Sequence, residues 1–333
     1  MEWKLQFAIV VAGERMGRAL GERSGAERGG RAKRARAVGR AARPKVLRAV
    51  TLTHPEKVLF PDVGITKREL ADYWEQVAPF ALPHVEGRPL TLFRCPGGVG
   101  AQCFFQKHVG AGVSDAVPRA HVRDGEEPYA TVDGLPALLA LVQIGVIELH
   151  AWGSRAERLD RPDVVVLDLD PDEGLRWGAV ASAALELRQR LEALGLEAFV
   201  RLTGGKGLHV VVPMKPGPAW PAVKRFARAL VDELVRDAPK RFTASLAKDQ
   251  RGGKIFVDYL RNDREATAVA SYSPRARAGA PVALPIEWDE LDPKARRVPR
   301  FGVREVPRLV RERARDPWGG FDAARRALSP RTM

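Results

Sequence analysis

Between residues 163 and 170 the chain reads DVVVLDLD: four apolar residues, Val164 to Leu167, run into Asp168-Leu169-Asp170, and Pro171 ends the run. A short β-branched stretch bounded by proline predicts a buried strand. Comparable patterns predict strands over 89–94, 147–152, 198–202, 208–213 and 254–260, and a hairpin around 126–134. Stripes at helical spacing alternate with them. Leu70, Tyr73, Trp74 and Val77 follow the capping box Thr66-Lys67-Arg68-Glu69, which predicts a helix through about Ala78 with that stripe facing the core. An apolar helix is expected over 135–146. Val180, Ala183, Ala184, Leu187, Leu191 and Leu194 form another stripe, closed by Gly195. Another helix is expected over 222–236, after the connector PMKPGPAWP, and the C-terminal part reads as loops and short helices packed on the body. Strands and helices in alternation predict an α/β chain.

Period-two geometry turns this pattern into candidate chemistry. Residues two apart on a strand point the same way, so Asp168 and Asp170 project together from the strand's C-terminal end. Side-by-side carboxylates raise each other's pKa unless a cation lies between them, and such hard oxygen ligands suit Mg²⁺ or Mn²⁺. Alone, the motif fits a strand end with two solvated aspartates equally well. On the expected strand 254–260, Phe256, Asp258 and Leu260 share one face, and a charge on a face otherwise apolar is expensive unless paired or metal-bound. A Thr203-Gly204-Gly205-Lys206-Gly207 loop joins two strands, the second carrying His209. Its glycines let backbone N–H groups approach phosphate oxygens, and Lys206 supplies charge. It is no P-loop: no Ser or Thr follows the lysine, and a strand follows where a helix is required. Three strand-borne carboxylates beside a phosphate cradle describe two-metal phosphoryl transfer.

Composition changes this picture in three places. Net charge is +14, and residues 1–45 hold 12 Lys and Arg against 4 Glu, so +8 of the total lies in an Arg/Gly/Ala-rich arm. Low complexity and self-repulsion predict a disordered arm able to hold phosphates without sequence preference. No apolar stretch approaches the roughly 20 residues of a membrane span, and no signal peptide is read, so a cytoplasmic location is expected. Cys95 and Cys103, a lone C-x7-C pair, are expected as free thiols in a reducing compartment. The adjacent Phe104 and Phe105 cannot both be buried on one strand, so either one of them is a stacking platform for a base or a bend packs both. Glu148 and His150 are expected on one face of their strand.

In order along the chain, THPEKVLFP, CFFQKH, ELHAWGSR, DLDP, TGGKGLHV, FVDYLRN and SYSPRAR resemble the polymerase domain of bacterial DNA ligase D, a member of the archaeo-eukaryotic primase superfamily. The resemblance runs from about residue 52 to about 292. It implies a primase-like catalytic core with a mainly antiparallel sheet and surrounding helices, here a domain over 50–315 with a short basic tail over 316–333. It implies that Asp168, Asp170 and Asp258 hold two divalent ions, Mn²⁺ or Mg²⁺. His150, Thr203, Gly205, Lys206, Gly207, His209, Arg261 and Arg275 would meet the incoming nucleotide, with Thr203 standing where the family has Ser. Lys57 and Lys67 would bind the 5′-phosphate at a break, and Phe104 and Phe105 would lie at the DNA. Lys67 follows the helix cap, where free N–H groups also favour an anion.

The implied activity is template-directed nucleotide addition at gaps and broken ends during non-homologous end joining, with a family preference for ribonucleotides. DNA and NTP or dNTP are the implied partners, with Ku and a separate ATP-dependent DNA ligase beside them, and the location is the bacterial nucleoid. No ligase domain fits in the remaining length, so a stand-alone polymerase is expected. Two rivals are weaker. A haloacid-dehalogenase-like phosphohydrolase needs Thr or Val where Asp172 stands, and a non-catalytic DNA-end binder would be free to lose the three aspartates.

Overall fold

The computed structural model describes residues 50–110, 112–123 and 125–328, so the expected arm over 1–45 lies outside the described residues. A hairpin of β1 (Val58–Phe60) and β2 (Ile65–Thr66) leads into α1 (Lys67–Val85). The capping box is formed as the sequence predicts, with Thr66 and Glu69 bonding each other's backbone N–H groups. The helix does not stop near Ala78. It continues through Pro79 and Pro83, because Ala78, Ala81 and Val85 prolong the buried face. Packing here offsets the backbone bonds that proline removes.

Next come β3 (Leu90–Arg94), β4 (Phe104–Gln106), β5 (Arg119–Ala120), β6 (Tyr129–Ala130), α2 (Leu135–Gln143) and β7 (Val146–Ala151). The hairpin expected around 126–134 is the β5–β6 pair, displaced toward the N-terminus. Cys95 and Cys103 are joined in a disulfide, contrary to the expected free thiols. Arg94 pairs with Phe104 across β3 and β4, so the cysteines at the hairpin end are brought together, a register that the spacing alone does not reveal.

The second half supplies β8 (Val164–Pro171), α3 (Trp177–Ala193), β9 (Phe199–Leu202), β10 (Leu208–Pro213), α4 (Trp220–Asp237), β11 (Phe242–Thr243), β12 (Ile255–Asp258), β13 (Ala268–Val269), β14 (Pro285–Ile286) and α5 (Val306–Glu312). One six-stranded sheet runs β11-β12-β8-β10-β9-β14, with only β11–β12 parallel. The other runs β13-β7-β3-β6-β5, with β4 also on β3, and is antiparallel throughout. This is the mixed, mainly antiparallel α/β architecture that the sequence implies. Residues 316–328 continue the packed body: Trp318, Phe321, Ala324 and Leu328 are buried. Among the described residues no helix is long and apolar enough to cross a membrane.

Strand β8 shows how the pattern aims the site. Val165, Leu167 and Leu169 enter the main core, where α3 and α4 pack on the sheet. Val164 and Val166 lie on the opposite face, in a small cluster with Phe199, Val211, Trp318 and Phe321. Asp168 and Asp170 continue that second face beyond the cluster.

A buried ion pair pins the base of this strand to the other sheet. Arg88, just before β3, places Nη1 2.6 Å from Asp163 Oδ1 and donates Nη2–H to Oδ2 at 2.9 Å, both side chains being almost fully buried. Burial alone would raise the Asp163 carboxyl, but Arg88, Arg325 and Arg155 hold it below its usual range. Burial pulls Arg88 down as well, yet a guanidinium stays charged at any ordinary pH, so the pair is ionised. Because the folded pKa of Asp163 is depressed, its contribution is present above the unfolded value of 3.8 and lost as pH falls through the lower folded value. Arg88→Met should destabilise the fold by about 3 kcal/mol, since it strands a buried charge, and flatten the loss of stability on acidification. Urea unfolding at neutral pH checks the first, and urea unfolding at about pH 3 and below, inside the window where Asp163 takes up its proton, checks the second.

Candidate active site

Antiparallel register places four ionisable residues in a row across one sheet. Asp258 on β12 pairs with Asp168 on β8, Asp168 with His209 on β10, and His209 with Arg201 on β9. Directly opposed residues share a face, so all four project together. Asp170 stands two residues beyond Asp168 on the same side. The strand carrying Asp258 ends there rather than at Leu260, because its carboxylate accepts the Leu260 N–H at 2.8 Å and turns the chain.

Basic groups thread between these carboxylates. Arg261 lies between Asp258 (Nε to Oδ2, 3.1 Å) and Asp168 (Nη2 to Oδ2, 3.4 Å). His209 Nε2 is 3.4 Å from Asp168 Oδ1, and Lys206 Nζ is 3.3 Å from Asp170 Oδ1. Burial would raise Asp168, but His209, Arg261 and Arg275 hold it well below the usual carboxylate range. Asp170 and Asp258 are pushed up, first by burial and then by the charge of Asp168. No three His, Cys, Asp or Glu side chains among the described residues are gathered around one point in a metal-holding array. The donor set nevertheless fits a hard divalent cation: three carboxylates on neighbouring strand ends, two of them disfavoured as anions by their surroundings.

The Thr203–Gly207 loop closes tightly beside this row. The Thr203 hydroxyl donates to the Gly207 carbonyl at 2.9 Å. Gly204 has φ +70°, and a Cβ at Gly207 would come within 2.3 Å of the Leu169 carbonyl oxygen, so glycine is required at both positions.

The facing wall comes from the other sheet. His150 and Glu148 lie on one face of β7, as the alternation predicts, and His150 Nε2 is 2.8 Å from Glu148 Oε2. Glu148 also accepts Arg275 Nε–H at 2.8 Å and the Ala276 N–H at 2.8 Å. Arg275 Nη1 in turn donates to the Thr203 carbonyl at 2.6 Å, so this arginine spans the gap between the sheets. Burial would raise Glu148, yet Arg275 and His150 hold it at about 2. Burial lowers His150, against the pull of Glu148. Phe105 packs on Phe93 at 4.5 Å and edge-on to His150 at 5.4 Å, whereas Phe104 is 41% exposed.

Between the walls is a cleft of about 540 Å³. It gathers Phe105, His150, Asp168, Asp170, Thr203, Gly205, Lys206, Gly207, His209, Arg261 and Arg275. Asp258 stands against Asp168 through Arg261. Phe104, Lys57 and Lys67 lie outside the cleft. Lys57 and Lys67 are adjacent because the β1–β2 hairpin folds back, with the Lys67 N–H on the Lys57 carbonyl at 2.8 Å. The helix N-terminus beside them is not free for an anion: the N–H groups of Lys67, Arg68 and Glu69 already bond Lys57, Pro55 and Thr66. Lys67 Nζ is buried against the Thr53 and Gln143 carbonyls. Glu148, Arg201, Phe93 and Arg277 belong to this region without having been singled out as site residues. For Glu148 the signal was there, a carboxylate sharing the face of His150 on a buried strand.

The model of the LigD primase-polymerase domain matches residues 66–318. The multifunctional non-homologous end joining protein LigD of Pseudomonas aeruginosa is 39% identical over 285 residues, covering 84% of this chain and 34% of that protein. The chain belongs to the LigD primase-polymerase domain family. LigD of Mycolicibacterium smegmatis is 34% identical over 252 residues, covering 74% of this chain and 33% of that protein. The chain therefore spans about a third of the length of these LigD relatives. The solved polymerase domain of Mycobacterium tuberculosis ligase D, in complex with DNA, matches with a TM-score of 0.75 at 31% identity, over 82% of this chain and 98% of that one. As a LigD primase-polymerase domain, the chain is an enzyme of the nucleotidyltransferase class.

Glu148→Ala should destabilise the protein by about 3 kcal/mol, because it strands Arg275 and removes acceptors from His150 and Ala276. Glu148→Gln, which keeps the shape and loses the charge, should cost less. Chemical denaturation of the two variants beside wild type measures the difference.

Proposed function

We propose that this domain adds nucleotides to DNA under template direction, at gaps and broken ends, with ribonucleotides preferred. The observation that carries this reading is the register that sets Asp258 and Asp168 side by side, with Asp170 beyond them, next to a Gly-rich loop and opposite His150 and Arg275. Asp168, Asp170 and Asp258 would hold Mn²⁺ or Mg²⁺. Two such ions would supply activation of the attacking oxygen and neutralisation of the leaving pyrophosphate.

The chain's own side chains account for the rest. Lys206 and the 203–207 loop receive the triphosphate, His209 offers a hydrogen bond to it, and Arg275 presents the fork of donors that suits phosphate oxygens. Arg261 lies against Asp168 and Asp258 and shifts toward the phosphates as the nucleotide arrives. His150, held by Glu148, lies where the sugar would be read. Phe105 floors the cleft, and the exposed Phe104 meets the DNA. Lys57 and Lys67 meet a 5′-phosphate at a break without help from the helix N-terminus, and for Lys67 this requires its ammonium to leave the Thr53 and Gln143 carbonyls. The end-joining setting, and with it Ku and an ATP-dependent ligase as partners, is proposed from the LigD relatives, which are end-joining proteins.

Asp168→Asn, Asp170→Asn and Asp258→Asn should each lower nucleotide addition to a gapped duplex by about a hundredfold or more, with duplex binding unchanged, since each removes charge stabilisation used in the transition state. Extension with labelled ATP or dATP and Mn²⁺, beside a gel-shift titration, is the measurement. A folded variant within about tenfold of wild type would overturn the assignment of that carboxylate.

A further inference from the structure

Arg201 does not line the cleft, yet it governs a side chain that does. It is 6% exposed and lies directly opposite His209 across β9 and β10. Its Nη2 is 2.8 Å from His209 Nδ1, and its Nη1 donates to Ser271 Oγ at 3.0 Å. The Trp318 ring lies over the guanidinium, with its centroid 5.6 Å from the central carbon.

These contacts decide how the imidazole is protonated. A guanidinium has five N–H groups and no acceptor, so toward His209 it can only donate. The Nδ1 that receives this bond carries no hydrogen, and the ring's one N–H is then at Nε2. That nitrogen is 3.4 Å from Asp168 Oδ1. As a donor it favours the carboxylate and any phosphate oxygen that comes near. In the other tautomer it would turn a lone pair on both.

We infer that Arg201 is a positioning residue of this site, holding His209 as the Nε2–H tautomer so that its donor is aimed at Asp168 and at the phosphates received by the 203–207 loop. The phosphate part rests on the function proposed above; the tautomer does not. Three separate stretches of chain maintain the arrangement: β9 supplies Arg201, the segment after β13 supplies Ser271, and the C-terminal segment supplies Trp318. A purely structural Arg201, filling space between the sheets, would leave the tautomer indifferent to its loss.

The test labels histidine with ¹⁵N and reads the ring nitrogens of His209 by long-range proton–nitrogen correlation, without nucleotide or metal, in wild type, Arg201→Met and Arg201→Lys. Wild type should show a single Nε2–H tautomer. Arg201→Met should show Nδ1–H or a mixture, and raise the KM for nucleotide about tenfold while gapped-duplex affinity stays within about twofold. Arg201→Lys, which keeps a cationic donor, should restore most of both. An Nδ1–H ring in wild type overturns the inference without any variant, so misfolding of Arg201→Met does not shelter it. An unchanged tautomer in folded Arg201→Met, or a lost tautomer with unchanged KM, also overturns it. Wild type with the expected tautomer but no nucleotide addition would instead overturn the proposed function.

Discussion

The register that aligns β12, β8, β10 and β9 puts Asp258, Asp168, His209 and Arg201 in one row on one mostly buried face. Everything else about the site follows from having to make that row tolerable. Isolated charges on such a face would cost far more than a domain's net stability, so each must be paired, neutral or bound to a cation. Arg261 between the two carboxylates, Asp168 beside His209, and Arg201 on His209 are how the protein meets that demand. A slip of one residue in β8 would send both aspartates into the core under α3 and α4, so the apolar alternation that fixes the register also fixes the chemistry.

The second sheet makes the row into a site. Arg88 and Asp163 clamp the two sheets where β3 and β8 begin, and Arg275 bridges them where β8 ends, bonding Glu148 on one side and Thr203 on the other. Held at both ends, the walls present fixed donors and charges to the cleft. Such dipoles need little reorganisation when a polyanion arrives, which is where most electrostatic catalysis comes from. Glu148 is central to this wall: one buried carboxylate orients His150, Arg275 and the backbone at Ala276 together.

Local pattern disclosed much of this in the sequence. The strand ending in Asp168 and Asp170, the glycine-rich loop, the isolated charge of Asp258 on an apolar strand and the stripes of α1 and α3 are all short-range signals, and the structure forms each of those elements. What stayed hidden depends on pairing between distant strands. The Cys95–Cys103 disulfide needs the β3–β4 register, and the roles of Glu148 and Arg201 need partners on another strand or sheet. Helix α1 outlasts two prolines because its far turns are buried, a fact of packing and not of propensity. The free helix N-terminus expected beside Lys67 is taken up by Lys57 and Pro55, which the hairpin brings back from a few residues earlier.

The central claim is that Asp168, Asp170 and Asp258 together bind the divalent ions of nucleotidyl transfer. It is tested most directly by titrating Mn²⁺ into the purified chain with a non-hydrolysable nucleotide and counting free ion by electron paramagnetic resonance. The account predicts about two Mn²⁺ per wild-type chain and the loss of at least one in Asp168→Asn. Equal stoichiometry and affinity in wild type and Asp168→Asn, with the variant folded, would contradict it.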